Sequence, residues 1–226
     1  AKIGGGSLGG KGRGLAFANR LIEAYEVADK FDGVRVAVPP AVVLGTDVFD
    51  RFLDENELRD FAIHSNDDEE IGRWFREAGF PAQPAAQLRA FLESFEFPLA
   101  VRSSSILEDS RRQPFAGIYD TVLLANAEGD VSIRLEALLD AVKQVYASTF
   151  RSRAQKYLEA TAHRIEEEKM AVVIQRLEGA EHGDRFYPDF SGVARSHNFY
   201  PTAPLKSEDG IASVALGLGM FVVEGG

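Results

Sequence analysis

Three stretches carry the side chains best suited to chemistry. The first is AKIGGGSLGGKGRGLAF, where seven glycines fall among the first fourteen residues with Lys11 set between them. Glycine lets backbone N–H groups approach an anion closely, and a lysine beside them adds a point charge. The second is FPLAVRSSSILEDS, where an apolar run delivers Arg102 and then Ser103, Ser104 and Ser105. Arginine grips a phosphate with a planar fork, and hydroxyls add donors. Glu108 and Asp109 follow, placed to orient Arg102 or to approach a metal. The third is RRQPFAGIYDTVLL, which sets Gly117 in a turn between Phe115 and Tyr119. Such a tip can fold its backbone over phosphates, although hairpins need glycine anyway.

Other phosphate loops fit the opening less well. Gly4 to Gly9 satisfies G-x-G-x-x-G, but that loop follows a strand, and only three residues precede it. No acidic residue ends a second parallel strand at the right distance. Gly5 to Lys11 satisfies G-x-x-x-x-G-K, yet Gly12 stands where a magnesium-reaching Ser or Thr belongs. A bare flexible linker is the plain alternative. Against it stands Lys11 at the mouth of a helix, where a cation is unfavourable unless an anion binds there. The plain alternative for Arg102 is a strand end with a polar turn and a surface Arg–Asp pair. Together, Lys11, Arg102 and the Gly117 turn set two cations and a backbone cradle around one polyanion. Loss of either cation then costs most in a phosphoryl-transfer transition state.

The elements that position these residues follow from periodicity. Leu15, Ala18, Leu21, Ile22 and Tyr25 recur at helical spacing after the glycines. VRVAVPPAVVL reads as a strand stopped by Pro39-Pro40. One helix is expected through Phe49, Phe52, Leu53, Leu58 and Phe61. A second follows the acidic cap NDDEE through Ile71, Trp74, Phe75 and Ala78, and a third runs through Leu88, Phe91, Leu92 and Phe95. FPLAV and the stretch ending near Leu124 read as strands. A long helix carries Ile133 to Phe150, and RSRAQKYLEATAHRIEEE reads as a solvated helix and a boundary. From Met170 the texture changes to short strands, MAVVIQ, SGVARS and IASVALGLG. The expected fold is mixed α/β, divided as 1–125, a helical part at 126–168, and a more β-rich part at 169–226.

Composition narrows the function classes. The 226 residues are 45% hydrophobic and 27% charged, as in ordinary globular proteins. The net charge of −10 and the lack of a Lys/Arg cluster beyond Arg111-Arg112 and Arg151/Arg153 argue against a nucleic-acid partner. No apolar run reaches membrane-spanning length, and no leader is evident, so a cytoplasmic protein without a membrane partner is expected. Without cysteine, disulfides and thiolate metal sites are excluded.

GGKGRGLAF, PLAVRSSSILEDS, FAGIYDT, MAVVIQ and SGVARS, in this order, resemble the N-terminal nucleotide-binding domain of the phosphoenolpyruvate synthase and pyruvate phosphate dikinase family. The resemblance spans about Gly9 to Gly225. It implies an ATP-grasp-like fold that holds ATP between two α/β parts, with its second half incomplete here. It implies that Lys11 and Arg102 are catalytic cations on the ATP phosphates, with Ser103 beside them and the loop at Gly117 above. It implies an adenine-side hinge at Gln175, Arg176 and Leu177, with Arg195 reaching the phosphates from the second part. In such enzymes the β-phosphate of ATP passes to a histidine on a separate swivelling domain and then to pyruvate on a third, assisted by Mg²⁺. This chain would then be one module of a longer enzyme.

Two departures bear on that expectation. The family often reads G-L-G-E where GLGMFVVEGG has Met220, and methionine does not ligate a hard cation. Glu224 is the remaining nearby carboxylate, facing the other way if strand alternation holds. None of His64, His163, His182 and His197 sits in the glycine- and threonine-rich surroundings of the family's phosphohistidine, so none is given a catalytic role. The EHGD run around His182 reads as a solvated turn. Two other functions stay open: a nucleotide-sensing module with a degenerate site, and a phosphotransferase with a different acceptor.

Overall fold

A computed structural model describes residues 1–105, 117–159 and 164–219. Backbone contacts divide the chain into two compact units, Ala1–Leu177 and Glu178–Gly226. This differs from divisions at 125 and 168. The long helix of the middle part lies in the core of the first unit, and the strand MAVVIQR pairs at the centre of that unit's sheet.

The first unit is built on β1 (Lys2–Ile3), β2 (Ala41–Leu44), β3 (Leu99–Ser105), β4 (Thr121–Leu124) and β5 (Met170–Arg176). Their order across the sheet is β1-β2-β5-β3-β4. Only β1 and β2 run parallel; β5 is antiparallel to both β2 and β3, and β3 is antiparallel to β4. β5 is a near-continuous apolar run and β3 opens as one, Leu99 to Val101, because neighbouring strands flank them and both faces are largely covered.

Six helices pack against one face: α2 (Thr46–Glu55), α3 (Leu58–His64), α4 (Asp68–Glu77), α5 (Ala82–Ser94), α6 (Val131–Ser148) and α7 (Ser152–Glu159). They bury Leu44, Val101, Val172 and Ile174 of the sheet with Phe49, Phe52, Phe75, Tyr146 and Phe150. The Tyr146 ring meets Phe49 edge-on at 5.0 Å and Phe52 at 5.5 Å. Each such fully buried side chain contributes about 1.5–3 kcal/mol. On the other face α1 (Gly9–Ala24) covers a smaller patch, Val43, Ala171 and Val173, through Leu8 and Leu15. Beyond its first turns α1 is open to water, with Phe17 64% exposed.

Two expected elements change shape. The stretch through Phe61 is two helices rather than one, broken where Glu57 takes a left-handed φ of 56°. Asn56 makes the break: its side-chain amide donates to the carbonyls of Phe52 and Gly79 and accepts from Gly79 N–H. Both halves thereby turn apolar residues inward, Phe52 and Leu53 from one and Leu58 and Ala62 from the other. Pro39-Pro40 opens the strand rather than stopping it. Residues 35–40 lack ladder pairing, as a proline without an N–H requires within a sheet. The Pro40 carbonyl instead accepts from Arg176 N–H at 2.9 Å.

The second unit holds two antiparallel pairs, β6 (Ala180–His182) with β7 (Arg185–Tyr187), and β8 (Phe190–Arg195) with β9 (Ile211–Leu216). The first pair is missed by the strand signals because each strand is only three residues long.

Candidate phosphate-binding site

β3 ends in four consecutive polar residues, Arg102 to Ser105, beside the start of α1. Strand alternation puts Ala100, Arg102 and Ser104 on the α1 face. Arg102 sits opposite Val173 of β5 and Thr121 of β4, so neighbours on both sides fix its backbone. Its Nη1 donates to Gln175 Oε1 at 3.4 Å. The Gln175 amide in turn points its Nε2 at the Pro39 carbonyl, also 3.4 Å away.

Lys11 is the third residue of α1. Its Nζ donates to the Ser103 carbonyl at 3.0 Å and lies 3.3 Å from Ser103 Oγ. Lysine and arginine, 91 positions apart in the chain, are thus held by adjacent residues of one strand. The three serines themselves are buried. Ser104 Oγ accepts from Gly12 N–H and donates to the Leu8 carbonyl, and Ser105 Oγ donates to the buried Glu168 carboxylate. Ser103 is thus a buried residue in contact with Lys11 rather than an exposed donor.

Much of the glycine density has a packing cause. Gly9 has φ +66°, and a Cβ there would lie 1.5 Å from the Ser104 carbonyl oxygen. Only glycine lets α1 start this close to β3. At Gly45 a Cβ would lie 1.9 Å from the Gly5 carbonyl, where the opening loop passes the start of α2. Ser7 N–H is accepted there by Thr46 Oγ1 at 2.9 Å. Gly14, by contrast, has open space around it.

Gln175 and Arg176 end β5, Leu177 follows it, and Gln175 accepts from Arg102. Arg176 N–H goes to Pro40 and Leu177 N–H to Pro98, at 2.9 and 2.8 Å. The Arg176 guanidinium lies over the Phe97 ring at 4.0 Å. These two backbone donors are therefore already engaged within the sheet. Gly117 has φ +72° and sits near Arg153. Arg195 ends β8 in the second unit, opposite Ile211. Met220, Glu224, Glu108, Asp109, Phe115 and His163 lie outside the described residues. His64 Nδ1 lies 2.8 Å from the Asp60 carbonyl, His182 stacks on Tyr187 at 4.0 Å, and His197 meets Phe199 edge-on.

Sequence reasoning offered Ser104 as a phosphate donor rather than as a partner of the α1 backbone, and it missed Glu168. A signal for Ser104 exists: the residue before α1 is Leu8, which cannot cap a helix, so the cap has to come from elsewhere in the chain. For Glu168, in a charged run, no sequence signal marks its burial.

Magnesium finds no ready cage here. Among the described residues, no three of His, Cys, Asp and Glu come together as metal ligands. Among the described residues no helix is long and apolar enough to cross a membrane.

Residues 6–226 match the sequence-family model described as "Pyruvate phosphate dikinase, AMP/ATP-binding domain". The chain is 30% identical over 190 residues to "Uncharacterized phosphotransferase YvkC" of Bacillus subtilis, covering 83% of this chain and 20% of that protein. It is 30% identical over 240 residues to "Phosphoenolpyruvate synthase" of Deinococcus radiodurans, covering 96% of this chain and 27% of the relative. To the Escherichia coli "Phosphoenolpyruvate synthase" it is 31% identical over 154 residues, 58% of this chain and 18% of that enzyme. The chain therefore spans roughly a fifth to a quarter of the length of these curated relatives. With the family model matching residues 6–226, a span that includes both Lys11 and Arg102, the chain belongs to the AMP/ATP-binding domain family of pyruvate phosphate dikinase.

Proposed function

We propose that this chain is the ATP-binding, ATP-grasp-like part of a dikinase-type phosphotransferase that resides in the cytoplasm. The observation that carries the reading is the placement of two cations from distant sequence on neighbouring residues of one stiff strand. Lys11 and Arg102 would hold the phosphate oxygens of ATP, where negative charge spreads as the phosphoryl group moves. Gln175 restrains the Arg102 fork, and Ser103, the next residue of β3, holds the Lys11 ammonium. The base would lie toward Gln175, Arg176 and Leu177. Because the N–H groups of Arg176 and Leu177 serve the sheet, base recognition there falls to carbonyls and side chains. Gly117 and Arg195 would close on the phosphates. Mg²⁺, when bound with the nucleotide, would neutralise phosphate charge.

The acceptor in this reading is a histidine on a separate domain of the longer protein, which then passes the phosphoryl group to pyruvate. The test uses the full-length protein with ATP labelled at the β-phosphate. An acid-labile, base-stable phosphoprotein that pyruvate discharges supports the whole reading. Label that pyruvate leaves in place keeps the mechanism and changes the acceptor. No label, with ATP still bound, overturns phosphoryl transfer and leaves a nucleotide sensor.

A further inference from the structure

We infer that Ser104 is a positioning residue that fixes Lys11 relative to Arg102; this rests on the phosphate reading of the two cations. Ser104 is wholly buried, and its Oγ bonds to backbone on both sides of Lys11. It accepts from Gly12 N–H at 3.0 Å and donates to the Leu8 carbonyl at 2.8 Å. The start of α1 needs such a partner. Its first turn leaves N–H groups without intrahelical acceptors, Leu8 has no side-chain oxygen, and the turn carries no acidic residue. Ser104 therefore acts as a helix cap donated by a strand more than ninety residues away.

The consequence is geometric. Arg102, Ser103 and Ser104 are consecutive on β3, and all three pair with β5, opposite Val173, Val172 and Ala171. Arg102 is one cation, Ser103 holds the other, and Ser104 holds the backbone that carries it. A paired strand is stiff, so the spacing of the two charges is set by three residues of β3. The absence of a Cβ at Gly9 allows the approach, since any side chain there would meet the Ser104 carbonyl. Misplacing a binding group by about 1 Å can cost about 100-fold in rate, so a hydroxyl that touches no substrate still matters.

The test is a double-mutant cycle on the full-length protein, reading the Kd for ATP and for adenosine by competition against a fluorescent ATP analogue. Ser104→Ala removes both hydrogen bonds to the backbone around Lys11 and is expected to weaken ATP about tenfold and to leave adenosine unchanged. In a Lys11→Ala background the same change is expected to weaken ATP no further. Ser104→Cys, of similar volume and with a weaker donor, is expected to fall between, and it serves if the alanine variant does not fold. Equal losses for ATP and adenosine, or an undiminished loss in the Lys11→Ala background, would overturn the positioning role. If Lys11→Ala itself leaves ATP binding intact, the phosphate reading falls first, and the role of Ser104 falls with it.

Discussion

Gly9 and Gly14 lie in the same helix and the same glycine-rich run, yet the structure assigns their alanine variants opposite signs. At Gly9 the backbone has φ +66°, and a Cβ would sit 1.5 Å from the Ser104 carbonyl oxygen. Alanine in a left-handed conformation costs about 1–2 kcal/mol. No rotamer relieves a contact with backbone, so the start of α1 has to withdraw from β3. Withdrawal breaks the two hydrogen bonds of Ser104 to Gly12 and Leu8, each with a net value of about 1 kcal/mol. The expected loss for Gly9→Ala is about 3–4 kcal/mol. At Gly14 nothing lies within 4 Å of the added carbon. Gly14→Ala should therefore gain about 0.5–1 kcal/mol through helix propensity. The assay is urea denaturation followed by fluorescence of Trp74, the single tryptophan, which packs against Phe61 in the first unit. If Gly9→Ala is as stable as the unmodified protein, or if Gly14→Ala loses as much as Gly9→Ala, the glycines serve chain flexibility and the packing argument fails.

In the full-length enzyme, Lys11→Ala and Arg102→Ala should each lower turnover with ATP by about 100-fold or more, as for other transition-state cations; unchanged turnover in both would refute the phosphate assignment. Asp67→Ala should cost about 1 kcal/mol, because Asp67 Oδ1 accepts from Glu69 and Glu70 N–H at 2.9 and 3.0 Å at the start of α4. A denaturation midpoint equal to that of the unmodified protein would mean that water caps α4 as well. Burial, and secondarily the charges of Asp47 and Asp50, push the Tyr146 phenol well above its ordinary value near 10. The folded state therefore keeps a proton that the unfolded chain releases. The stability this provides is complete below about pH 10 and falls as pH rises beyond, by about tenfold in the folding equilibrium per pH unit. Tyr146→Phe should remove that one-proton slope. It should cost little at neutral pH, since the buried hydroxyl has no hydrogen-bond partner among the described residues; a slope equal to that of the parent between pH 10 and 11 would count against this account.

What could be read from the sequence follows from which interactions are local. Helical periodicity placed α4 and α5, because Ile71 and Phe75, or Leu88 and Leu92, each bury one stripe of a single helix. The same rule joined α2 to α3, since nothing local shows that Asn56 reaches Gly79, 23 positions away. Pro39-Pro40 was recognisable as a breaker, but a proline pair marks a limit without saying on which side the strand lies. The division of the chain was harder still. MAVVIQR reads like the strands that follow it, and its place between β2 and β3 is decided by pairing with residues more than sixty positions earlier.

At the site, residue type pointed to Lys11 and Arg102, and the structure adds why they belong together. Arg102, Ser103 and Ser104 look in sequence like a polar loop after a strand, a run of donors waiting for phosphate. They are instead strand, and the serines, Ser103 through Ser105, are buried because the partners that satisfy them are Lys11, the helix start and Glu168. A buried hydroxyl is tolerated only when its hydrogen bonds are made. The burial of this serine run therefore requires a polar structure packed against it, and the glycine-rich turn is the segment whose backbone comes close enough. The glycines and the serines are two halves of one contact: Gly9 without Ser104 would leave the helix start uncapped, and Ser104 without Gly9 could not reach it.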